Sequence, residues 1–257
     1  ESQWTWTNES YPADAVSLRS VSSDNFVIVD ITHGSRVIGE TDFTSGPATL
    51  HPKAIYLVEG TLYQVERLDF EGRKAFVREV DCDYYTDAIT YTRVTVIDTF
   101  AKRGCAGPYP SFAHGEVHVV SRVVGFKKIK FYTSENIGSG ELDLPEQQMH
   151  TTSYWLTIPP AVMDALPYAS DDRRDGIVGL AFAMRQLAQL LLMCDRHDIG
   201  ISIDSDQTQE GAGHRIFIYD SYPGGIGFSE PLFRMHHELL AGTRRLIAEC
   251  ECESGCP

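Results

Sequence analysis

One stretch of the chain, Arg215-Ile-Phe-Ile-Tyr-Asp-Ser-Tyr-Pro-Gly-Gly-Ile-Gly-Phe-Ser-Glu-Pro231, contains a strand, a turn and a helix start in succession. The apolar run predicts the strand, and the proline favours a helix that begins at Ser229 or Glu230 and continues to about Ala248. The turn between them is either a tight structural turn that needs positive φ or a nest of backbone N–H groups for an anion. It contains Pro223, Gly224, Gly225 and Gly227. No Gly-Lys-Ser/Thr follows the glycines, so a nucleotide-binding loop is not supported.

Upstream of this stretch, the spacing of the apolar residues changes once along the chain. From Asp24 to about Tyr132, short runs of Val, Ile, Tyr and Thr alternate with turn residues, which is typical of strands. After Pro145 the apolar spacing becomes three and four, which predicts a short helix, a helix of about 20 residues and then a strand at Ile199 to Asp204. We therefore predict an α+β protein with a β-rich sheet or small barrel part, residues 1–157. A smaller α/β part, residues 158–257, follows and is closed by a cysteine zinc site.

The composition is ordinary for a globular protein. Of 257 residues, 42% are hydrophobic and 23% are charged, which excludes a disordered or coiled-coil chain. The formal net charge of −14 excludes polyanion binding over the whole surface, so any nucleic-acid contact must be local. The longest apolar run, Ile177 to Met193, is interrupted by Arg185 and predicts a buried helix, not a membrane span. No signal peptide is indicated, and the missing initiator Met predicts a fragment of a longer chain.

A cysteine cluster at the end of the chain, Cys250, Cys252 and Cys256, favours a metal. Thiolates at such short spacing converge on one tetrahedral ion, whereas a disulfide between the first two would be badly strained. A structural Zn²⁺ needs four ligands, so we expect either a further Cys beyond Pro257 or Cys194, at the end of the long helix, as the fourth. The alternative is a tail of free thiols.

A basic stretch without acidic residues extends from Ser121 to Tyr132. Cations interleaved with aromatic rings suit single-stranded nucleic acid, because the cations track phosphates while the rings stack on bases. Strand alternation equally predicts a solvated face with Lys128 and Lys130 on one side. The candidate contacts are Arg122, Lys127, Lys128, Lys130 and Phe131.

No catalytic residues are assigned. Cys194-Asp-Arg-His-Asp198 contains acid, base and metal-ligating types, yet the segment follows the long helix and favours a polar helix end over a catalytic cluster. A hydrolase that uses Asp195, His197 and a metal is the corresponding minor hypothesis. His236 and His237 are adjacent and so point about 100° apart on a helix, which disfavours a two-histidine metal site.

The chain as a whole resembles the C-terminal, DUF1998-type zinc-binding region of superfamily 2 DEAD/DEAH-box DNA helicases related to mitomycin repair factor A. The resemblance is carried by the terminal cysteines and by six segments. Four of them are Leu50-His-Pro-Lys-Ala-Ile-Tyr-Leu-Val-Glu-Gly60, Val124-Gly-Phe-Lys-Lys-Ile-Lys-Phe-Tyr-Thr133, Met193-Cys-Asp-Arg-His-Asp-Ile-Gly200 and Ile218-Tyr-Asp-Ser-Tyr-Pro-Gly-Gly-Ile-Gly227, and the other two are Tyr63-Gln-Val-Glu-Arg-Leu-Asp69 and Leu142-Asp-Leu-Pro-Glu-Gln-Gln-Met-His-Thr-Thr152. In the family the cluster runs C-x-C, then G-C-P-x-C, so the resemblance implies that Cys250, Cys252 and Cys256 are the first three zinc ligands. The motor motifs are absent from this sequence, so the resemblance places ATP and Mg²⁺ in an upstream motor.

The resemblance implies an accessory, non-motor region of a cytoplasmic ATP-dependent helicase in DNA repair. It would brace the motor domains, in the same polypeptide or in a partner subunit, and contact single-stranded DNA. The alternative is a protein-docking scaffold in a DISARM-like anti-phage defence complex, since DUF1998-type regions also occur there. No membrane is expected in either case.

Overall fold

The computed structural model describes residues 24–104, 109–204 and 213–252, and in these ranges the chain forms eleven strands and five helices. The strands are β1 (Asn25–Asp30), β2 (Arg36–Asp42), β3 (Ile55–Val58), β4 (Thr61–Asp69), β5 (Lys74–Glu79), β6 (Tyr84–Arg103), β7 (Ser111–Lys130), β8 (Asn136–Glu141), β9 (Gln147–Ile158), β10 (Ile199–Asp204) and β11 (His214–Asp220). The helices are α1 (Gly46–Thr49), α2 (Pro160–Asp164), α3 (Ser170–Leu192), α4 (Ser229–Arg234) and α5 (His236–Ala248). The protein is sheet-rich with few helices, as the α+β prediction requires.

The first sheet has five strands in the order β2-β1-β5-β4-β3. Its pairs are antiparallel except β1 with β5, which are parallel. Alternate residues of β1 are buried because successive side chains in a strand point to opposite faces. Phe26 and Ile28 therefore pack with Ala75 and Val77 of β5 in one apolar core.

The hairpin between β3 and β4 turns at Glu59 and Gly60. Both residues have positive φ, 47° and 85°, as a two-residue type I′ turn requires. Glycine adopts this conformation without strain, and the flanking pair Val58 and Thr61 closes the turn in register.

The second sheet has six strands in the order β10-β11-β9-β7-β6, with β8 paired to β7. Strands β6 and β7 have 20 residues each and so extend far beyond the short runs that the sequence predicts there. Strands β8 and β9 are not predicted by the sequence pattern. Strand β9 is nevertheless central, since it pairs with β11 and contributes the buried Tyr154, Trp155 and Leu156.

Helix α3 packs one face against the core of the second sheet. Ile177, Ala181, Met184 and Ala188 are buried at helical spacing, in agreement with the predicted amphipathic pattern. By length and composition the helix could also cross a membrane, a test that core helices of soluble proteins pass as well.

The helix predicted from residue 229 to 248 is two helices, α4 and α5. They meet at Met235, whose φ of −94° and ψ of 19° depart from helical values. The break places the His236 ring against Phe112, with the ring centroids 3.4 Å apart, and buries both ring nitrogens of His236. The predicted single helix is therefore wrong at this point, because tertiary packing of His236 overrides the local helical pattern.

Contacts group the chain into two units that alternate along the sequence. Unit 1 contains Glu1–Tyr91 and Ser121–Gln147, and unit 2 contains Thr92–Val120 and Gln148–Pro257. Because β6 and β7 each contribute residues to both units, the units differ from the predicted parts 1–157 and 158–257, and that boundary stays a prediction. No shift in composition marks residue 92 or residue 121.

Candidate nucleic-acid interface and zinc-binding end

The last residues of β7 carry the predicted basic stretch and belong to unit 1. They pair with β8, so that Lys127 lies opposite Ser139 and Lys128 opposite Gly138, and a bulge follows Lys128. Phe126 is buried and stacks on the buried His51 ring, with the ring centroids 4.9 Å apart. Strand alternation then turns Lys127 outward, where it is exposed.

Most cations of this stretch already have a partner within the protein. Arg122 forms an ion pair with Asp143 and donates from Nε to the carbonyl oxygen of Leu144 at 3.0 Å. Lys130 pairs with Asp83 at 3.7 Å. For Lys127, the described ranges contain no acidic partner within ion-pair distance.

Aromatic residues on β6 and after β7 complete this surface. The ammonium group of Lys128 lies 4.9 Å from the ring centroid of Tyr84. The Phe131 ring centroid lies 5.7 Å from that of Tyr85 and 6.4 Å from that of Tyr132. Tyr84 and Tyr85 were not among the candidate contacts. Tyr and Thr at positions 84–86 favour a strand, but no local signal shows that this strand lies beside the basic stretch.

The glycine-rich turn after β11 binds an anion from within the chain. Oδ2 of Asp220 accepts hydrogen bonds from the backbone N–H groups of Ile226, Gly227 and Phe228 at 2.7, 2.9 and 3.2 Å. The N–H groups of Gly224 and Gly225 donate to the carbonyl oxygens of His150 and Tyr222. The donors of the predicted nest are thus occupied, which favours the structural reading of this turn over an external anion.

Asp220 is 1% exposed, and its carboxylate is surrounded by hydrogen-bond donors. Burial raises the pKa of this carboxyl above its ordinary value, while the hydrogen bonds from the turn and from the Thr152 hydroxyl act in the opposite direction. Gly224, Gly225 and Gly227 all have positive φ, so the turn depends on glycine conformations.

The segment Cys194 to Asp198 forms a polar end to α3. Asp195 accepts from the N–H of His197, and Asp198 accepts from the N–H of Asp195 and from the Tyr222 hydroxyl, at 2.9, 2.8 and 2.7 Å. These carboxylates therefore fix the backbone after the helix and brace the glycine-rich turn. The arrangement favours the structural interpretation and shows no base positioned against a nucleophile.

The predicted zinc ligands lie in different environments. Cys250 and Cys252 are exposed just after α5, which leaves both thiols accessible to an ion, whereas Cys256 lies outside the described residues. Cys194 is half-buried against the core, and burial together with nearby carboxylates raises the pKa of its thiol. Within residues 24–104, 109–204 and 213–252, no three His, Cys, Asp or Glu side chains converge as a metal group. Cys194 is therefore not brought together with Cys250 and Cys252.

Known proteins match this chain over nearly its whole length. Residues 180–257 match the family model of the MrfA Zn-binding domain. The chain is 38% identical to the "Uncharacterized ATP-dependent helicase YprA" of Bacillus subtilis (strain 168), over 99% of this chain and 34% of that protein. A crystal structure of the DUF1998 helicase MrfA bound to DNA matches with a TM-score of 0.64 and 38% identity, over 98% of this chain and 33% of that one. The resemblance to the DUF1998-type region of superfamily 2 helicases is confirmed.

A second structure of MrfA and one eukaryotic helicase are also similar to this chain. A crystal structure of DUF1998 helicase MrfA matches with a TM-score of 0.67 and 32% identity, over 99% of this chain and 35% of that one. The ATP-dependent helicase HRQ1 of Saccharomyces cerevisiae (strain ATCC 204508 / S288c) is 24% identical over 96% of this chain and 24% of that protein. The chain thus spans between about a quarter and about a third of the lengths of these relatives.

Proposed function

We propose that this chain is a non-motor accessory region of an ATP-dependent DNA helicase that acts in DNA repair in the cytoplasm. The observation that carries the proposal is the similarity of nearly the whole chain to one third of the DUF1998 helicase MrfA, which has been crystallised bound to DNA. The region braces the motor domains, which supply ATP and Mg²⁺ binding, and these domains lie in the same polypeptide or in a partner subunit.

The DNA contact that we propose is the end of β7. Lys127 is exposed on the strand that also carries Lys128, whose ammonium group lies over Tyr84 of β6, and the net charge of the whole chain is −14. An exposed cation on a surface with aromatic rings suits single-stranded DNA, because the cation can bind a phosphate while a base stacks on a ring. Arg122 and Lys130 contribute less to a phosphate contact, since each already pairs with an aspartate.

The test is the salt dependence of single-stranded DNA binding by the complete protein. Lys127→Gln should weaken binding uniformly across sequences and reduce the salt slope by about 1, because one phosphate contact is lost. Lys130→Gln is the matched control, and we expect a smaller change since Asp83 already neutralises Lys130. Equal slopes for the parent and Lys127→Gln would remove the end of β7 from the DNA interface.

We also propose that Zn²⁺ is bound by Cys250, Cys252 and Cys256, as the MrfA Zn-binding family match supports. The exposed side chains of Cys250 and Cys252 fit this ion, which accepts thiolate ligands. When bound, zinc supplies folding free energy and no chemistry of its own at this end of the chain. The half-buried Cys194 is the remaining predicted ligand, which the control variant below tests.

Zinc content and thermal unfolding test this assignment. Cys252→Ser should release zinc and destabilise the C-terminal end, because a structural site contributes directly to folding. Cys194→Ser is the control and should retain zinc. Loss of zinc from Cys194→Ser instead would make Cys194 the fourth ligand, and unchanged zinc in Cys252→Ser would remove the cluster from the site.

A second candidate function is a docking scaffold in an anti-phage defence complex. The net charge of −14 favours it, as do exposed apolar side chains on α3, namely Val178, Phe182 and Leu190. Under this alternative the complete assembly retains its DNA affinity when Lys127 is neutralised, while Phe182→Asp separates the chain from its helicase subunit on gel filtration.

A further inference from the structure

Three aromatic side chains form a row at one end of unit 1. Tyr85 is on β6, and Phe131 and Tyr132 follow β7; we name these three residues the aromatic row. Neighbouring ring centroids are 5.7 and 6.4 Å apart. Tyr85 is 40% exposed and Tyr132 fully exposed. Each exposed ring leaves apolar surface in contact with water, so burial in the fold does not account for the row.

The backbone that carries Tyr132 is in an unfavourable conformation. Tyr132 and Ser134 have φ of 65° and 55°, in the left-handed region that bulky residues avoid. Hydrogen bonds between Lys130 and Glu135, and from Ser134 back to Lys130, hold the turn. Glycine or asparagine at position 132 would fit this turn with less strain, yet the chain has a tyrosine whose ring contributes nothing to the core.

The charges around the row limit any contact with phosphates. Lys130 pairs with Asp83, and Lys128 lies over Tyr84. The exposed Glu135 adds a negative charge within the same turn. Lys127 is exposed and has no acidic partner within ion-pair distance among the residues that the structure describes. It is therefore the cation of the basic stretch that we expect to bind a ligand phosphate.

We propose that the aromatic row stacks on bases of single-stranded DNA, with Lys127 on an adjacent phosphate, so that base stacking carries more of the affinity here than phosphate contacts do. This proposal rests on the DNA contact described under the proposed function. The rings are tilted by 38° and 53° to one another, so they cannot all lie parallel to bases that are stacked at the roughly 3.4 Å rise of a regular strand. The row therefore suits bases that have separated from one another, as they do in a single strand, and not a closed duplex.

The experiment measures fluorescence anisotropy of the complete protein with three DNA probes. These probes are a single-stranded oligothymidine, the same strand with abasic sites in place of the bases, and a blunt duplex. The variant is Tyr132→Ala, and the matched control is Tyr91→Ala, which removes another exposed tyrosine of β6 outside the row. Thermal unfolding checks that both variants are folded.

We expect Tyr132→Ala to weaken oligothymidine binding about tenfold, with an unchanged salt slope, because a stacking ring is lost and no charge is. Tyr91→Ala should bind as the parent does. On the abasic strand and on the duplex, Tyr132→Ala and the parent should bind equally, since neither probe presents separated bases.

Three results would overturn the proposal in distinguishable ways. If Tyr132→Ala binds oligothymidine as Tyr91→Ala does, while Lys127→Gln still reduces the salt slope, the DNA site stands and stacking is wrong. If neither variant changes binding, the proposed DNA contact fails as well. If Tyr132→Ala loses affinity equally on the abasic strand, the ring contacts the sugar–phosphate backbone and base stacking is again wrong.

Discussion

The turn after β11 and the turn after β7 both contain residues with positive φ, and they use this conformation in opposite ways. Gly224, Gly225 and Gly227 point their N–H groups and those of their neighbours inward, where Asp220 and two carbonyl oxygens accept them. Tyr132 instead holds a large ring outward. The first turn satisfies its own polar groups, whereas the second leaves binding surface available. Positive φ in a turn therefore indicates a binding function only when the partners of its N–H donors and the exposure of its side chains are also known.

The largest effect should come from removing the carboxylate at the centre of the first turn. Asp220→Ala leaves a buried cavity at the carboxylate and removes the acceptor of three part-buried N–H groups, so we expect a loss of about 3 kcal/mol in the free energy of unfolding. Urea unfolding measures it. Asp83→Ala, which removes an exposed carboxylate beside the second turn, should cost well under 1 kcal/mol. Similar losses in the two variants would end the contrast between the turns.

A smaller effect should separate two glycines of the first turn. Gly225→Ala combines a φ of 74° with a new Cβ 2.5 Å from the Thr152 hydroxyl oxygen, and we expect a loss of about 2 kcal/mol. Gly224→Ala has a φ of 80° but open space around its Cβ, so it should cost only about 1 kcal/mol. Thermal unfolding compares them, and equal losses would show that crowding at Thr152 is relieved by side-chain rotation.

The pH dependence of stability tests the charge of Asp220. Because burial raises its pKa in the folded state, the folded chain takes up a proton at a higher pH than the unfolded chain does. The contribution of Asp220 to the free energy of unfolding is fully present when the pH is below the pKa of this carboxyl in the unfolded chain. It is lost as the pH rises through the pKa of the same carboxyl in the folded chain. Relative to Asp220→Asn, the parent should therefore gain stability as the pH falls from 7 towards the ordinary range of an aspartate. A parent that instead loses stability against Asp220→Asn would mean that the hydrogen bonds outweigh burial.

The smallest effect should come from the second turn. Tyr132→Gly removes the strain of a tyrosine in the left-handed conformation, which should raise the free energy of unfolding by about 1–2 kcal/mol. Glycine also makes the unfolded chain more flexible, which should lower the free energy of unfolding by about 0.5–1 kcal/mol. We therefore expect a net gain of about 0.5 kcal/mol in urea unfolding, together with weaker single-stranded DNA binding. A loss of stability would show that the Tyr132 ring supports the fold after all.

Local pattern predicts those elements whose stabilising contacts are also local. Strand β1, the Glu59-Gly60 hairpin and the buried face of α3 all follow from alternation, turn residues or helical spacing. Strand β8, Asn136–Glu141, has two glycines and a single large apolar residue, so its sequence has no strand signal and it depends on pairing with β7. The break at Met235 likewise depends on Phe112, which is distant in sequence.

The candidate sites also divide into features that the local sequence shows and features that depend on long-range contacts. The basic stretch and the terminal cysteines are visible as composition, and the Asp220 residue just before the glycines is a signal that sequence reading could have used. What the sequence does not reveal is which polar groups already have partners. The pairing of Arg122 with Asp143, of Lys130 with Asp83, and of the glycine-rich turn with Asp220 requires the folded chain.

The alternation of the two units along the chain sets an order for their folding during translation. Unit 1 has its last residue at Gln147, so the ribosome completes it while most of unit 2 is still unmade. Residues 92–103 and 111–120 of β6 and β7 must then wait for β9, which lies beside β7 in the sheet. During that interval Val117 and Val119, buried in the finished protein, meet solvent on an unpaired edge. A free chain that ends just after Gln147 should therefore aggregate more readily than one that ends after Ile158, where β9 is complete.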